Sequence, residues 1–306
     1  MITIRQLQAL YWVAKLQNYS DAAEHLHLSP SALSKRLVEL ETIMGKAILD
    51  RSGYRIALTQ FGRAFLERTG PFLRAYDELC KFGVEGDELE GHVSFGLPQL
   101  VALTWFPKAI ASLRSHYPKI VLEPYVNTAS ELIERTKKGF IDCSVVNTLT
   151  FDEDLAYTKV SDVEHSLFIS PKLLAYDASF ESVDVHKYPV LTQVPDSNVT
   201  HVFNGWALKH GIEARKVLTI NSLNAILQMV LAGIGAGFLP SGLCAPLVRH
   251  QYLIKLQKMP DAILGYYFVR QKGPTSELNS AVEALMISNC DFHLSMYAEF
   301  PKPDYS

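Results

Sequence analysis

Four cysteines in 306 residues, Cys80, Cys143, Cys244 and Cys290, are scattered without a CxxC, so the chain has neither a disulfide framework nor a thiolate metal site. Ten histidines include one close pair, His25 and His27, and neither HExxH nor paired zinc-ligand spacing occurs. GxSxG is missing as well, which removes the serine-hydrolase elbow. GIGAGF at 233–238 lacks the third glycine of a dinucleotide loop and follows a helical pattern instead of a strand. No stretch reaches the roughly 18 apolar residues that a membrane span needs. Arg5 is followed by polar residues where a secretory signal would carry an apolar run. These absences argue against an enzyme, a metalloprotein or a membrane protein, and lead us to expect a cytoplasmic chain with no cofactor and no metal.

What is present is apolar bulk and a charge split. Apolar residues make up 48% of the chain, enough for a real core, and a prior of about 100–200 residues per domain implies at least two domains. The net charge of −3 conceals eight Lys/Arg against five Asp/Glu over residues 1–63, and 21 against 27 over the rest. A basic N-terminal end suits contact with nucleic acid.

Residues 4–44 carry apolar residues at helical spacing in three short runs: Ile4, Leu7, Tyr11 and Ala14; Ala22, Ala23 and Leu26; Leu33, Leu37, Leu40 and Met44. Ser20 with Asp21 is expected to open the second helix, and Ser29-Pro30 reads as an N-cap with proline at the first helical position. Residues 47–58 form two short strands around Ser52-Gly53. A long helix follows from about Thr59, with Phe65, Thr69, Phe72, Tyr76 and Leu79 spaced four and three apart like a coiled-coil seam. Pro71 should bend or restart it. From His92 the pattern is βαβ: strands at 93–97, 119–126 and 141–147 alternate with helices over about 101–116 and 130–138. A second series has strands at 189–194 and 216–220, helices over about 200–210 and 223–232, and the glycine-rich GIGAGFLP, where Gly233 reads as a helix C-cap. The two series make two similar lobes, and a strand at 263–271 and a helix over 275–288 are expected to return to the first.

On the third helix Ser31, Ser34, Lys35 and Val38 face away from the leucines. Ser hydroxyls can meet base edges and phosphates, and Lys35 and Arg36 can reach guanine or phosphate. Alone, such a face is an ordinary solvated surface; the order of three helices, tight turn, wing and long helix carries the argument. That order, and the segment RQLQALYWVAKLQNYSDAAEHLHLSPSALSKRLVELETIMGKAILDRSGYRIALTQFGRAFL, resemble the LysR-type DNA-binding signature almost position by position. RSHYP at 114–118, KKGFID at 137–142 and SLNAILQMVLAGIGAGFLP at 222–240 resemble the family's sensor segments, so the resemblance covers about residues 1–290.

The resemblance implies an α/β chain of three parts. A winged helix-turn-helix spans 1–58, with its helix-turn-helix over about 20–40. A linker helix that pairs subunits spans 59–88. A two-lobed, periplasmic-binding-protein-like effector domain spans 89–306, with lobe I at about 89–161 and 266–306 and lobe II at about 162–265. It implies a transcription regulator that binds double-stranded DNA and a small-molecule effector and self-associates to a dimer or tetramer. Ser29, Ser31, Ser34, Lys35, Arg36, Arg51 and Arg55 are the expected DNA contacts. Many relatives have Gln-Pro where this chain has Pro30-Ser31, so base reading shifts towards Ser31, Ser34 and Lys35. In the sensor, the loop Gly96–Leu100 follows the first strand, and Leu100 stands where a hydroxyl is frequent in relatives. Pro98, Gln99, Leu100, Thr128, Ser130, Gln193, Asn198, Thr200 and Ser222 are the expected effector contacts, placed at strand ends and helix starts. Thr128, Ser130, Gln193, Asn198, Thr200 and Ser222 are each explained at least as well as a helix cap or turn residue. The peroxide-sensing branch of the family uses two nearby sensor cysteines, whereas Cys143 and Cys244 lie far apart in sequence.

A solute-binding protein or enzyme on the two-lobed fold does not need residues 1–88. A sensor that acts in assembly alone, without a ligand, is not separated from an effector-responsive one by the sequence.

Overall fold

A computed structural model describes residues 1–50, 57–81, 89–173, 187–211, 217–256 and 261–294. The chain divides into two compact units, Met1–Asp87 with Lys138–Phe140, and Glu88–Lys137 with Ile141–Ser306. Among the described residues no helix is long and apolar enough to cross a membrane.

The first unit begins with α1 (Ile4–Leu16), α2 (Tyr19–His25) and α3 (Pro30–Met44). α1 opens on a capping box in which Thr3 and Gln6 satisfy each other's backbone N–H groups. α2 starts earlier than expected: its N-cap is Asn18, whose Oδ1 accepts the Ser20 N–H at 2.8 Å, so Ser20 is inside the helix. A short carbonyl side chain in extended backbone caps at least as well as serine. α3 is capped by Ser29 with Pro30 in its first turn. His27, with φ of 52°, makes the tight turn between α2 and α3. Ala9, Leu10, Val13, Leu33, Leu37 and Leu40 are buried together.

β1 (Leu49–Asp50) and β2 (Ala57–Leu58) pair antiparallel, Leu49 opposite Leu58, as the base of a wing. Arg51 and Arg55 lie outside the described residues. Glu41 of α3 accepts the Ile48 and Leu49 N–H groups at 2.8 and 2.9 Å, which fixes the wing to that helix. α4 (Gln60–Lys81) then runs through Pro71 without restarting there. Proline removes one backbone hydrogen bond, and the helix has a full turn or more on either side of it. The expected seam is also divided. Thr69 is buried at 3% exposure beside Leu66 and Leu73, and its Oγ1 donates to the Phe65 carbonyl, whereas Phe72 and Leu79 are 51% and 71% exposed. The four-three spacing places Thr69 close to the helix face that closes its own core, and the core takes it.

The second unit contains a nine-stranded sheet. β3 (Gly91–Leu97) lies parallel to both β4 (Ile120–Val126) and β5 (Cys143–Asn147). The single helix expected from 101 to 116 is two: α5 (Gln99–Leu103) and α6 (Phe106–His116). Pro107 cannot continue a helix but is tolerated in a first turn, so a new helix begins at Phe106. α7 (Ala129–Lys137) packs on β3. The approach is close because residue 96 is glycine: a Cβ there would sit 2.8 Å from Leu132 Cδ2 and 2.9 Å from Ser144 Cβ. Asp142 Oδ2 accepts both the Ser94 N–H and its hydroxyl, at 2.8 and 2.6 Å, which ties the end of KKGFID to β3.

β6 (Leu155–Ile169) has no counterpart in the sequence expectations. With β7 (Val190–Thr192), β8 (Val217–Thr219) and β9 (Ala236–Pro240) it builds the second lobe, β7 being parallel to β8 and β9. α8 (Asn198–Lys209), α9 (Leu223–Leu231) and α10 (Ser241–Arg249) accompany these strands, and β10 (Ile254–Lys255) pairs with β6. α9 is capped by Ala232, and Gly233 follows with φ of +80°, a left-handed turn that glycine makes without strain. β11 (Ala262–Gln271) lies antiparallel between β5 and β6. Its register with β6 shifts between Tyr266 and Tyr267. β6 and β11 are therefore the two strands that run through both lobes. α11 (Glu277–Ser288) packs on α6, so the chain does return to the first lobe.

Candidate functional site

In the first unit, the exposed N-terminal half of α3 and its cap carry five of the seven expected DNA contacts, Ser29, Ser31, Ser34, Lys35 and Arg36. Ser29 Oγ accepts the Ala32 N–H at 3.2 Å and lies 3.0 Å from Ser31 Oγ, so the cap organises both hydroxyls. Ser31 and Lys35 are exposed, Ser34 and Arg36 half-buried, and the leucines behind them fully buried. Val38, 42% exposed one turn further on, extends this stripe with an apolar group. The arrangement offers hydroxyls, two cations and a helix N-terminus to an anionic, hydrogen-bonding partner. His25 is accounted for otherwise, its ring lying 3.5 Å from that of Trp12.

In the second unit, strand ends from both lobes meet around one cavity of about 210 Å³. Parallel strands direct their carboxyl ends, and the helix N-termini beyond them, to the same side of a sheet. Pro98, Gln99, Leu100, Thr128, Ser130, Gln193 and Asn198 all line the cavity. Thr200 and Ser222 do not. Thr200 is buried, with its hydroxyl donating to the Gln193 carbonyl at 2.7 Å, and Ser222 caps α9 by accepting the Ala225 N–H. For these two the cap-or-turn explanation holds.

The cavity also has residues that the sequence analysis did not single out: Asn127, Asn147, Asp196, Ser197, Asn221 and Tyr266. Asn127, Asn147 and Asn221 follow or end strands, a signal available from their position; Tyr266, in the middle of a strand, gives none. Among the described residues two side-chain hydrogen bonds span the cleft. Gln99 Oε1, from the first lobe, accepts the Leu223 N–H at the start of α9 at 2.6 Å. Asn198 Nδ2, at the start of α8, donates to the Asn147 carbonyl at 2.9 Å. Behind them Asn147 donates to the Tyr266 hydroxyl at 3.2 Å, and burial pushes that phenol above its ordinary pKa, so it stays protonated.

Cys143 and Cys244 are buried, and loss of solvent pushes both thiols up, which keeps them from the thiolate form that reacts with peroxide. Among the described residues no group of three or more His, Cys, Asp or Glu is placed to hold a metal ion.

A family model for the bacterial regulatory helix-turn-helix protein, lysR family, matches residues 4–63, and one for the LysR substrate binding domain matches residues 86–287. The chain belongs to the LysR family. This LysR-family protein is a transcription regulator with a DNA-binding helix-turn-helix and an effector-binding domain, not an enzyme. It is 26% identical over 251 residues to a probable RuBisCO transcriptional regulator of Trieres chinensis, covering 78% of this chain and 81% of the relative. Its fold is that of full-length LysR-type structures. A full-length OxyR variant of Pseudomonas aeruginosa matches with a TM-score of 0.73 at 19% identity, over 98% of this chain and 100% of that one. LysG of Corynebacterium glutamicum with bound effector Arg matches with a TM-score of 0.62 at 17% identity, over 94% and 97%.

Proposed function

We propose that this regulator works in the cytoplasm as a dimer or tetramer, reads promoter DNA with α3 and its wing, and changes that binding when a small effector enters the cleft between its lobes. The observation that carries the effector reading is the cavity itself, whose two lobes are joined across it by the Gln99–Leu223 and Asn198–Asn147 hydrogen bonds. A molecule that makes its own bonds to these groups alters the closure of the lobes, and differential affinity for two closures is what effector control requires. The LysG structure with bound effector Arg supports an effector-binding role for the second unit. Exposed Phe72 and Leu79 on α4 support self-association through that helix. Ser29, Ser31, Ser34, Lys35 and Arg36 are assigned to base edges and phosphates, and Arg51 and Arg55 to the backbone beside the wing.

The test uses the full chain and a duplex selected from a random pool. Ser34→Ala and Lys35→Ala should weaken binding to the selected sequence, by about 1–3 kcal/mol for a lost base contact, while Arg51→Ala weakens all sequences alike. Unchanged footprints for Lys35→Ala at moderate salt would remove α3 from base reading. A saturable thermal shift with a metabolite that also alters the footprint is the expected effector result. No shift across a broad library would instead favour a sensor that acts in assembly alone.

A further inference from the structure

We infer that the effector of this cleft is an uncharged, hydroxyl-rich molecule of about monosaccharide size. The inference rests on the effector reading above and concerns its chemical class. Helix N-termini ordinarily suit a carboxylate, but here the chain's own side chains already take at least one donor at the start of each of α7, α8 and α9. Leu223 N–H goes to Gln99 Oε1, Ala225 N–H to Ser222, Val199 N–H to Ser197 and Glu131 N–H to Thr128. Thr128 N–H goes to Asn127 Oδ1 at 2.8 Å. α5, whose N-cap Pro98 has no side-chain bond to offer, is only five residues long. Among the described residues lining the cavity the one charged side chain is Asp196, which repels an anion.

What remains open in the cavity is amide. Gln99, Asn127, Asn147, Gln193, Asn198 and Asn221 place six carboxamides around it. Their internal bonds leave both donors and acceptors free. Gln99 keeps its Nε2 hydrogens and Asn127 its Nδ2 hydrogens, while Asn147 and Asn198, each donating through Nδ2, keep their Oδ1. A hydroxyl both donates and accepts, so a polyol satisfies such a mixed lining. A carboxylate only accepts and would leave the amide oxygens unpaired. At about 210 Å³ the cavity is smaller than the roughly 300–1,000 Å³ of a drug-sized site, which suits a single sugar ring or a short polyol.

Calorimetry on the full chain tests the class with a panel of free pentoses, hexoses and polyols beside the matching aldonates and amino sugars. The expected result is saturable binding of at least one uncharged probe, at least tenfold tighter than its aldonate. Asn221→Ala should weaken that probe about tenfold, with melting temperature and ligand-free DNA binding unchanged, and Asn127→Ala should weaken it similarly while lowering the melting temperature through the lost Thr128 bond. Asn221→Asp, which keeps the shape and loses the donor, provides the control should an alanine variant unfold. Tighter binding of an aldonate, or of an amino sugar through Asp196, would overturn the class and leave the effector reading standing. No binding by any probe also overturns it, and a broad metabolite library that is equally silent removes the effector reading too.

Discussion

Gln99 holds in one side chain what the rest of the cleft does collectively. Its Oε1 occupies the Leu223 N–H at the start of α9, a donor that in a barer cleft would be free for an acidic ligand. Gln99→Ala should therefore release that donor and tighten binding of an aldonate several-fold over the unsubstituted chain, measured by calorimetry; an unchanged or weaker aldonate would mean that Gln99 does not block it. His165 governs a different property. It is 1% exposed, stacks on Phe238 with ring centroids 5.6 Å apart, and its Nδ1 lies 3.1 Å from the Val163 carbonyl, to which it donates. Burial pushes its pKa down to about 4 from an ordinary 6.5, against smaller opposing effects of that hydrogen bond and the Asp261 charge. The fold favours the neutral ring, so the unfolded chain binds the proton first as pH falls. The stabilisation, about 3 kcal/mol, is complete above pH 6.5 and disappears towards pH 4, with about 2 kcal/mol gone by pH 5. Melting at pH 7.5 and 5.0 checks this: the native chain should lose several degrees more than His165→Phe, and equal losses would assign the pH response elsewhere.

At the scale of elements, α4 carries apolar residues in two different environments. Leu66 and Leu73 are buried in the first unit, whereas Phe72 and Leu79 are exposed on the same helix. Leu66→Ala should cost about 2–5 kcal/mol in unfolding, as for other buried leucines. Phe72→Glu with Leu79→Glu should leave that stability intact and lower the mass measured by light scattering towards the monomer. A full-size oligomer in the double variant would exclude this face from assembly. The same helix shows why local pattern misleads. The four-three spacing of Phe65, Thr69, Phe72, Tyr76 and Leu79 is equally a seam and the edge of a core stripe, and the position of the neighbouring helices put Thr69 into the core. Pro71 is legible as a helix breaker, but the effect of one missing hydrogen bond depends on the surrounding helix, which here continues.

For the whole molecule, β6 and β11 are the only described strands that run through both lobes, so any relative motion of the lobes bends these two ladders. The register shift at Tyr266/Tyr267 lies on one of them, and Tyr266 itself reaches the cavity. A ligand touching Tyr266 therefore meets the lobe connection directly. If effector and DNA are coupled, the coupling is reciprocal: the factor by which effector changes DNA affinity must equal the factor by which DNA changes effector affinity, typically about 5–150-fold. Titrating effector with and without saturating operator duplex measures the second factor. Equality with the first is the expected result, and two clearly unequal factors would show that more than two linked states are in play.

The sequence by itself determined the order of parts. Helical periodicity, the Ser29-Pro30 cap and the βαβ alternation are local, because hydrogen bonds within a helix and side-chain alternation along a strand depend on neighbours a few residues away. It also placed seven of the nine expected effector contacts on the cavity, since parallel strands always bring their carboxyl ends to one side. Tertiary structure decided the rest. β6 has an irregular mixture of exposed and buried residues because it crosses from one lobe to the other, so no single period marks it. Thr200 and Ser222 turned inward to the backbone, and Asn127, Asn147, Asn221 and Tyr266 turned to the cavity. Which polar group satisfies a neighbour and which remains free for a ligand depends on partners up to 124 residues away, as for Gln99 and Leu223, and only the folded chain brings those together.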